Sequence, residues 1–384
     1  MKILVTSIID LKKSQHNRPH QIVRYLSKKH DVTVLSINDW WKGKQGEDDL
    51  KNYHKDFDSI FKRINYHYLT EEKISPILQE LFFKKKVKEL LKEDFDVHLN
   101  YNSLVTGYEI SKHIKTVFDL ADDLGAMIKQ SPQIPSVMRP IGSYVGNFFL
   151  KKNIQASNLI TVTTDTLGCS CRIPESKMRI IPNGVDTRLF RNYRTTKKEL
   201  GFDIDSFIIG YVGVLREWVD LASVFEALRN LNKKIKMIVV GKEGKYKENV
   251  ALAARYGVAD RVHFTGMIPY CQVPKYISAM DVCLIPFKLN AISQNALPLK
   301  LFEYMACEKP VISVPIPGVE RVAGDLVLYA RTQEEYTEKI NTLFENDELK
   351  NELGYSGRKL ITEKYEWEKI VNDLEKELRE TGLN

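Results

Sequence analysis

Residues 296–313 read ALPLKLFEYMACEKPVIS. A turn built on Pro298 leads into a helical stretch carrying Lys300 and Glu303, and the run 310–313 reads as a buried strand. A helix amino end offers unpaired backbone N–H groups and the positive end of a dipole, and both attract phosphate. A carboxylate one turn further on can accept hydrogen bonds from a ribose diol lying beside that phosphate. The same letters also describe an ordinary strand–helix–strand unit with a charged surface face. The surrounding chain has to decide between the two.

Working outward, short β-branched runs alternate with helix-length segments along the whole chain. Strands are expected at 3–6, 32–37, 64–68, 97–100, 117–120, 159–162 and 178–181, then at 207–212, 236–240, 262–264, 282–285, 311–314 and 326–329. Strands spaced by helices imply parallel sheets covered on both faces. A polar segment at 187–206 separates the two runs and reads as an interdomain crossing. The expected fold is therefore α/β: two facing, doubly wound, Rossmann-like domains at 1–186 and 207–364, with ligands at the carboxyl ends of the strands in the interdomain cleft. After residue 365 a long helical stretch carries Trp367, Ile370, Val371 and Leu374 at helical spacing. It either closes the second domain or crosses back; the domain assignment adopted here packs 365–384 on the first.

A length of 384 residues suits two cores rather than one. No stretch reaches the roughly 20 uninterrupted apolar residues of a spanning helix, and the opening MKILVTS reads as a first strand rather than a leader. The five cysteines (169, 171, 271, 283 and 307) form an odd set without zinc spacing, as expected of a reduced, cytoplasmic protein. The net charge of +7 permits an anionic partner, but no helix–turn–helix, zinc-finger or ribonucleoprotein pattern accompanies it, so nucleic acid is not expected.

Several expected strands end in glycine or polar residues. Gly210-Tyr211-Val212-Gly213, Val239-Val240-Gly241 and Phe264-Thr265-Gly266 stand in sequence, and Arg216 follows the first, where a forked guanidinium could meet a phosphate. If these strands share a sheet, their ends converge on one edge. With Ile181-Pro182-Asn183-Gly184-Val185-Asp186 before them and Leu301-Phe302-Glu303-Tyr304-Met305-Ala306 after, this order resembles the GT-B retaining glycosyltransferases of family 4. It looks closest to a bacterial and archaeal branch that builds cell-surface polymers such as teichuronic acid.

The resemblance implies that Glu303 binds the donor ribose and that Ala296, Leu297, Pro298 and Leu299 cradle the diphosphate. It further implies that Gly241, Met267 and Ile268 flank the nucleobase, and Gly213 is expected in the donor site where its strand end lets a phosphate approach the backbone. The family's other acidic position, eight residues before Glu303, is Asn295 here, which could keep a hydrogen bond to the donor sugar but no charge. The usual basic pair is reduced to Arg216, and Arg216 with Lys300 is expected to supply the positive charge that stabilises the leaving diphosphate.

In the first domain Arg18 and His20 replace a glycine-rich loop and could contact an acceptor, although a polar loop tip is the simpler reading. His98 is read as ending a strand near the reacting sugar, or as structural. Asp119, Asp122 and Asp123 resemble the branch's Asp-x-x-Asp-Asp; an aspartate there could orient an acceptor hydroxyl, and Asp122 or Asp123 could equally cap the next helix. Asp203-Ile204-Asp205 has metal-binding spelling but sits in a polar turn, so neither metal nor cofactor is expected. At 82–92 apolar residues including Phe83, Val87, Leu90 and Leu91 share one helical face opposite lysines. That could be a face for an anionic leaflet, giving peripheral attachment to the inner side of the cell membrane, or simply a core face with a basic back.

The expected function is metal-independent, retaining transfer of a hexose-type sugar from a nucleotide-sugar to a hydroxyl of a glycan or lipid-linked glycan. A nucleotide-sugar epimerase, or a non-catalytic GT-B scaffold that binds nucleotide or glycan, would use the same architecture.

Overall fold

The computed structural model describes residues 1–14, 16–40, 58–81, 84–130, 134–195 and 197–383. The chain divides into two compact units, Met1–Pro182 with Trp367–Asn384, and Asn183–Glu366. Each is built on one parallel sheet. In the first unit the strands are β1 (Lys2–Ser7), β2 (Asp31–Ser36), β3 (Asn65–Tyr68), β4 (Val97–Tyr101), β5 (Thr116–Leu120), β6 (Leu159–Val162) and β7 (Met178–Ile180). In the second they are β8 (Phe207–Val212), β9 (Ile235–Val240), β10 (Val262–Gly266), β11 (Val282–Ile285), β12 (Val311–Ser313) and β13 (Val327–Tyr329). Every expected run is a strand, within a residue or two at its ends.

The spatial orders are β3-β2-β1-β4-β5-β6-β7 and β10-β9-β8-β11-β12-β13. Both sheets start in the middle and reverse direction, between β1 and β4 in one and between β8 and β11 in the other. A crevice opens at such a switch point, outside the carboxyl ends of the two flanking strands. The strands read as near-continuous apolar runs because helices cover both faces. Phe118, Ile160 and Val162 lie in one cluster of the first unit, Leu4, Leu35 and Ile110 in another, and the second unit has a single large core around Ile209, Val239, Leu284 and Ile312.

The crossing lies elsewhere than expected. Residues 187–206 belong to the second unit, and the chain passes between units at Pro182–Asn183 and again at Glu366–Trp367. The segment is polar in composition yet fastened. Phe190 N donates to Asp186 O (2.8 Å), Tyr193 N donates to Ser278 Oγ (3.0 Å), and Phe190 is fully buried. The Asp203–Asp205 stretch is a turn closed by Ser206 N donating to Asp203 O (3.0 Å), at the entrance to β8.

The last helix, Trp367–Leu383, packs within the first unit. Its apolar stripe (Trp367, Ile370, Val371, Leu374 and Leu378) is buried, and Glu375 pairs with Lys29 Nζ (2.9 Å) and His30 Nε2 (3.1 Å). Of the two readings of the basic helix at 82–92, the packing gives the core face with a basic back. Val87 and Leu90 of the Lys84–Leu90 helix are buried against Leu35 and Leu69, with Leu91 packed beside them, while Phe82 and Phe83 lie outside the described residues.

Candidate nucleotide-binding site

Beyond β8 the chain turns at Gly213, whose φ is +132°, and beyond β9 at Gly241, whose φ is +140°. Gly213 N donates to Val240 O (2.8 Å) and Gly241 N to Gly266 O (3.0 Å), which aligns the ends of β8, β9 and β10. A Cβ on Gly241 would lie 2.3 Å from Gly213 O, so neither the backbone angle nor the space admits a side chain. These glycines leave bare backbone along the rim of the switch point.

Beyond β11 a one-turn helix, Ala291–Gln294, is boxed at its start by Asn290 and Ser293 and ends at Asn295, whose side chain is buried. Residues 296–298 then lead into the Leu299–Ala306 helix. Pro298 stands at its N-cap with φ −70° and ψ 132°, and no side chain caps the helix. The first-turn amides of Leu299 and Lys300 therefore have no acceptor within the helix and carry the positive end of its dipole. The turn is held from behind, where Asn183 Nδ2 donates to Leu297 O (2.6 Å). Tyr304 Oη accepts from Val212 N (2.8 Å), pinning the helix to β8.

Lys300 and Glu303 project from this helix one turn apart, both half-buried. Lys300 Nζ donates to Tyr211 Oη (3.0 Å) and stands 4.2 Å from the centre of the Tyr211 ring and 4.8 Å from that of Phe287. A Cβ on Gly213 would lie 3.3 Å from the same ammonium. Tyr211 Oη in turn donates to Val214 O (2.9 Å), tying the lysine to the Gly213 turn. Burial lowers the Lys300 ammonium to about 7, with Glu303 opposing the shift. Burial raises the Glu303 carboxyl to about 7, opposed by Lys300 and by a hydrogen bond from Tyr270 Oη (3.3 Å). Arg216 is exposed on the loop after Gly213; burial pushes the Tyr211 phenol up, and the charge of Arg216 opposes that rise. The loop is fastened to the β11 end, with Asp220 N donating to Pro286 O and Lys288 N to Trp218 O, both 2.7 Å. Met267 and Ile268 follow the end of β10, half-buried.

The edge thus gathers bare glycine backbone, an uncapped helix end, an ammonium and a carboxylate. That set can take a diphosphate and a diol. The phenols of Tyr211 and Tyr270 and the Asn183 anchor were not read as site elements from sequence. Tyr211 was visible as the one hydroxyl in the run before Gly213, but its partner lies 89 positions away.

In the first unit the expected site residues are mostly committed to the fold. His98 is the second residue of β4 rather than its end, fully buried. Its Nε2 pairs with Thr6 Oγ1 (2.8 Å) and its Nδ1 with Thr116 Oγ1 (3.0 Å), and burial lowers it to about 3. It is a neutral link across three strands and not a catalytic group. Arg18 and Asp119 are buried against each other, Nε to Oδ2 at 2.8 Å and Nη2 to Oδ1 at 2.7 Å. Thr161 Oγ1 also donates to Asp119, and Arg18 Nη1 donates to Pro182 O (2.8 Å). Neither is available to an acceptor. His20 lies in the first turn of the Arg18–Leu26 helix, bonded to Asn17 Oδ1 and Leu11 O (both 2.9 Å), and is structural. Asp123 accepts from Ala126 N (2.9 Å) at the start of the Leu124–Gln130 helix, which is a cap. Asp122 alone of this group is exposed, with Asn102 Nδ2 donating to it (3.2 Å). Glu80, unremarked in the sequence, is buried and accepts from Val105 N (2.7 Å) and Ser103 Oγ (2.8 Å) at the amino end of the Val105–Ile110 helix.

Two parallel sheets of this topology match solved structures of the GT-B fold. A sucrose-phosphate synthase of Thermosynechococcus elongatus superposes with a TM-score of 0.79 at 16% identity, covering 99% of this chain and 98% of that one. An Anabaena protein, HepE, solved in complex with UDP-glucose, superposes with a TM-score of 0.74 at 17% identity over 99% and 100% of the two chains. Residues 192–360 match the family described as Glycosyl transferases group 1. The second unit carries a match to group 1 glycosyltransferases, and the whole chain has the GT-B fold. Among its relatives, an uncharacterized glycosyltransferase of Methanocaldococcus jannaschii is 23% identical over 71% of this chain and 79% of its own length. A Bacillus subtilis glycosyltransferase named for teichuronic acid biosynthesis is 24% identical over 44% of this chain and 43% of its own length.

Proposed function

We propose that the protein transfers a hexose-type sugar, with retention and without a metal ion, from a nucleoside diphosphate sugar to a hydroxyl of a glycan or lipid-linked glycan. The carrying observation is the half-buried Lys300–Glu303 pair on the uncapped helix at the second switch point. The diphosphate would lie on the Leu299 and Lys300 amides and the Lys300 ammonium, and Glu303 would accept from the ribose hydroxyls. The UDP-glucose bound to the Anabaena structure supports uridine as the base, and the teichuronic acid relative supports a cell-surface polymer as the product.

In the step itself the bond from the anomeric carbon to the phosphate oxygen breaks and a bond to the acceptor oxygen forms on the same face. The acceptor proton passes to the departing phosphate. Such a displacement asks the protein for position and for stabilisation of negative charge rather than for a strong base. Lys300, Arg216 and the helix end provide that charge, which is the basis for proposing that no metal is required. The buried, already bonded state of His98 and Asp119 fits a scheme without a protein base; Asp122 is the exposed carboxylate left to orient the acceptor. The test is the anomeric configuration of the product formed from UDP-sugars, read by NMR, with EDTA present and absent. Retention with undiminished rate in EDTA is expected, and inversion or loss of rate in EDTA overturns the corresponding part.

A further inference from the structure

The other edge of the second sheet, at the amino ends of β11 and β12, carries a polar cavity of about 320 Å³. It is lined by the turn 308–310, by Asp281 at the entrance to β11, by Asn192, and by Lys350, Asn351 and Tyr355 of the helix Asp347–Lys364. Glu308 in the turn holds φ +59°, a left-handed conformation that a residue with a Cβ seldom adopts. Gly354 makes room for it: a Cβ there would lie 2.3 Å from Glu308 O, so the helix crosses directly over the turn. Lys309 N donates to Tyr304 O (3.1 Å), closing the carboxyl end of the Leu299–Ala306 helix. One helix thus carries the candidate donor site at its amino end and this cavity at its carboxyl end.

The charges around the cavity are unequally partnered. Asp281 accepts from Ile208 N (2.7 Å) and pairs with Lys197 Nζ (2.7 Å). Lys350 pairs with Asp347, while Glu308 accepts from Asn192 Nδ2 (3.3 Å) and has Arg358 Nε at 3.9 Å. Lys309 is the exception. Among the described residues its half-buried ammonium has no hydrogen bond or ion pair, and burial lowers it from its usual range. The helix carboxyl end beside it favours a cation and opposes the loss of its proton. A desolvated cation without a partner, lining a cavity, calls for one anionic group. A phosphate ester would bring about −1.5 to −2 charges towards the carboxylates of Asp281 and Glu308, whereas a carboxylic acid brings one. The rest of the lining suits hydroxyls. The Asn192 and Asn351 amides can donate and accept, the two carboxylates can accept, and the exposed Tyr355 ring offers an apolar wall. The volume stands at the lower end for small-molecule sites and has room for a single ring.

We propose that this cavity is a second binding site, for a small sugar acid: one hydroxylated ring bearing a single carboxylate that pairs with Lys309. The inference does not depend on the reading of the donor site. The test is an NMR titration of the full chain with glucuronate, glucose and glucose 6-phosphate. Glucuronate should bind about tenfold or more tighter than either of the others. Lys309→Met should lose about tenfold or more of that affinity with its melting temperature held or raised, because a charge without a partner is gone. Lys300→Met, at the other end of the helix, should bind glucuronate like wild type. If Lys309→Met fails to fold, Asn351→Asp at the exposed rim carries the test, and its added charge should weaken glucuronate about fivefold. Wild-type protein that binds no glucuronate overturns the proposal, as does one that binds glucose equally well or the phosphate ester more tightly. A folded Lys309→Met that binds glucuronate like wild type overturns it too. So does a loss in Lys300→Met as great as in Lys309→Met, which would put glucuronate in the donor site.

Discussion

The Val105–Ile110 helix of the first unit and the Leu299–Ala306 helix of the second both begin beyond a strand that flanks a switch point, β4 in one sheet and β11 in the other. Both amino ends carry amides that have no acceptor within the helix. In the first unit the chain fills its own anion site, because the Glu80 carboxylate sits on Val105 N and Ser103 Oγ. In the second the end is left open, and the charge added beside it is a cation. An ammonium in the first turn of a helix opposes the dipole, and half-burial against two aromatic rings removes much of its water. Lys300 is thus held in surroundings that an incoming diphosphate would improve. The charges follow the same division: Arg18 and Asp119 neutralise each other in the first unit, whereas Lys300 and Glu303 in the second are both driven towards neutrality by burial. The first unit uses its buried charges for structure; on the proposed function, the second keeps them for a ligand.

That contrast can be broken most forcefully at Arg18. Arg18→Met strands Asp119 in the interior and should cost about 3–5 kcal/mol of first-unit stability in denaturant melts, while the double variant with Asp119→Leu should regain much of it. UDP affinity of folded Arg18→Met should stay as it is. Lys300→Met should do the reverse, lowering turnover by about 10²–10³ at saturating donor with stability held or improved, since one buried charge is gone.

The smallest effect is on pH dependence, and it sharpens the comparison. On the proposed site, donor binding needs Lys300 protonated and Glu303 ionised, and burial brings the ammonium down and the carboxyl up to about 7. UDP affinity should therefore peak near neutral pH, falling above it as the ammonium is lost and below it as the carboxylate is protonated. Titration calorimetry of Lys300→Met should retain only the acidic limb, and of Glu303→Gln only the basic one.

Both sheets could be read from sequence because buried parallel strands are continuous β-branched runs, and the glycines marking the second switch point follow those runs directly. The crossing could not. The segment 187–206 is polar by composition but is held by backbone hydrogen bonds and by Phe190, whose ring packs edge-on against distant Tyr270. His98 lies inside the expected run 97–100 as it does inside β4; what the letters could not show is that Thr6 and Thr116 on neighbouring strands hold both of its ring nitrogens. Glu80 was invisible because its partners are 23 and 25 positions away. The apolar face at 137–148 looks, letter by letter, like any core helix; only the fold shows that it is exposed.

The central claim is that the open helix end of the second unit, and not the filled one of the first, takes the nucleoside diphosphate. Calorimetric titration of UDP into wild type, Glu303→Ala and Glu80→Ala tests it most directly. Removing a charged hydrogen-bonding group should weaken binding about 10–100-fold in Glu303→Ala. Glu80→Ala, which only uncaps a short helix at a cost of about 1 kcal/mol in stability, should bind UDP like wild type. Unchanged affinity in Glu303→Ala, or a loss confined to Glu80→Ala, would contradict the account.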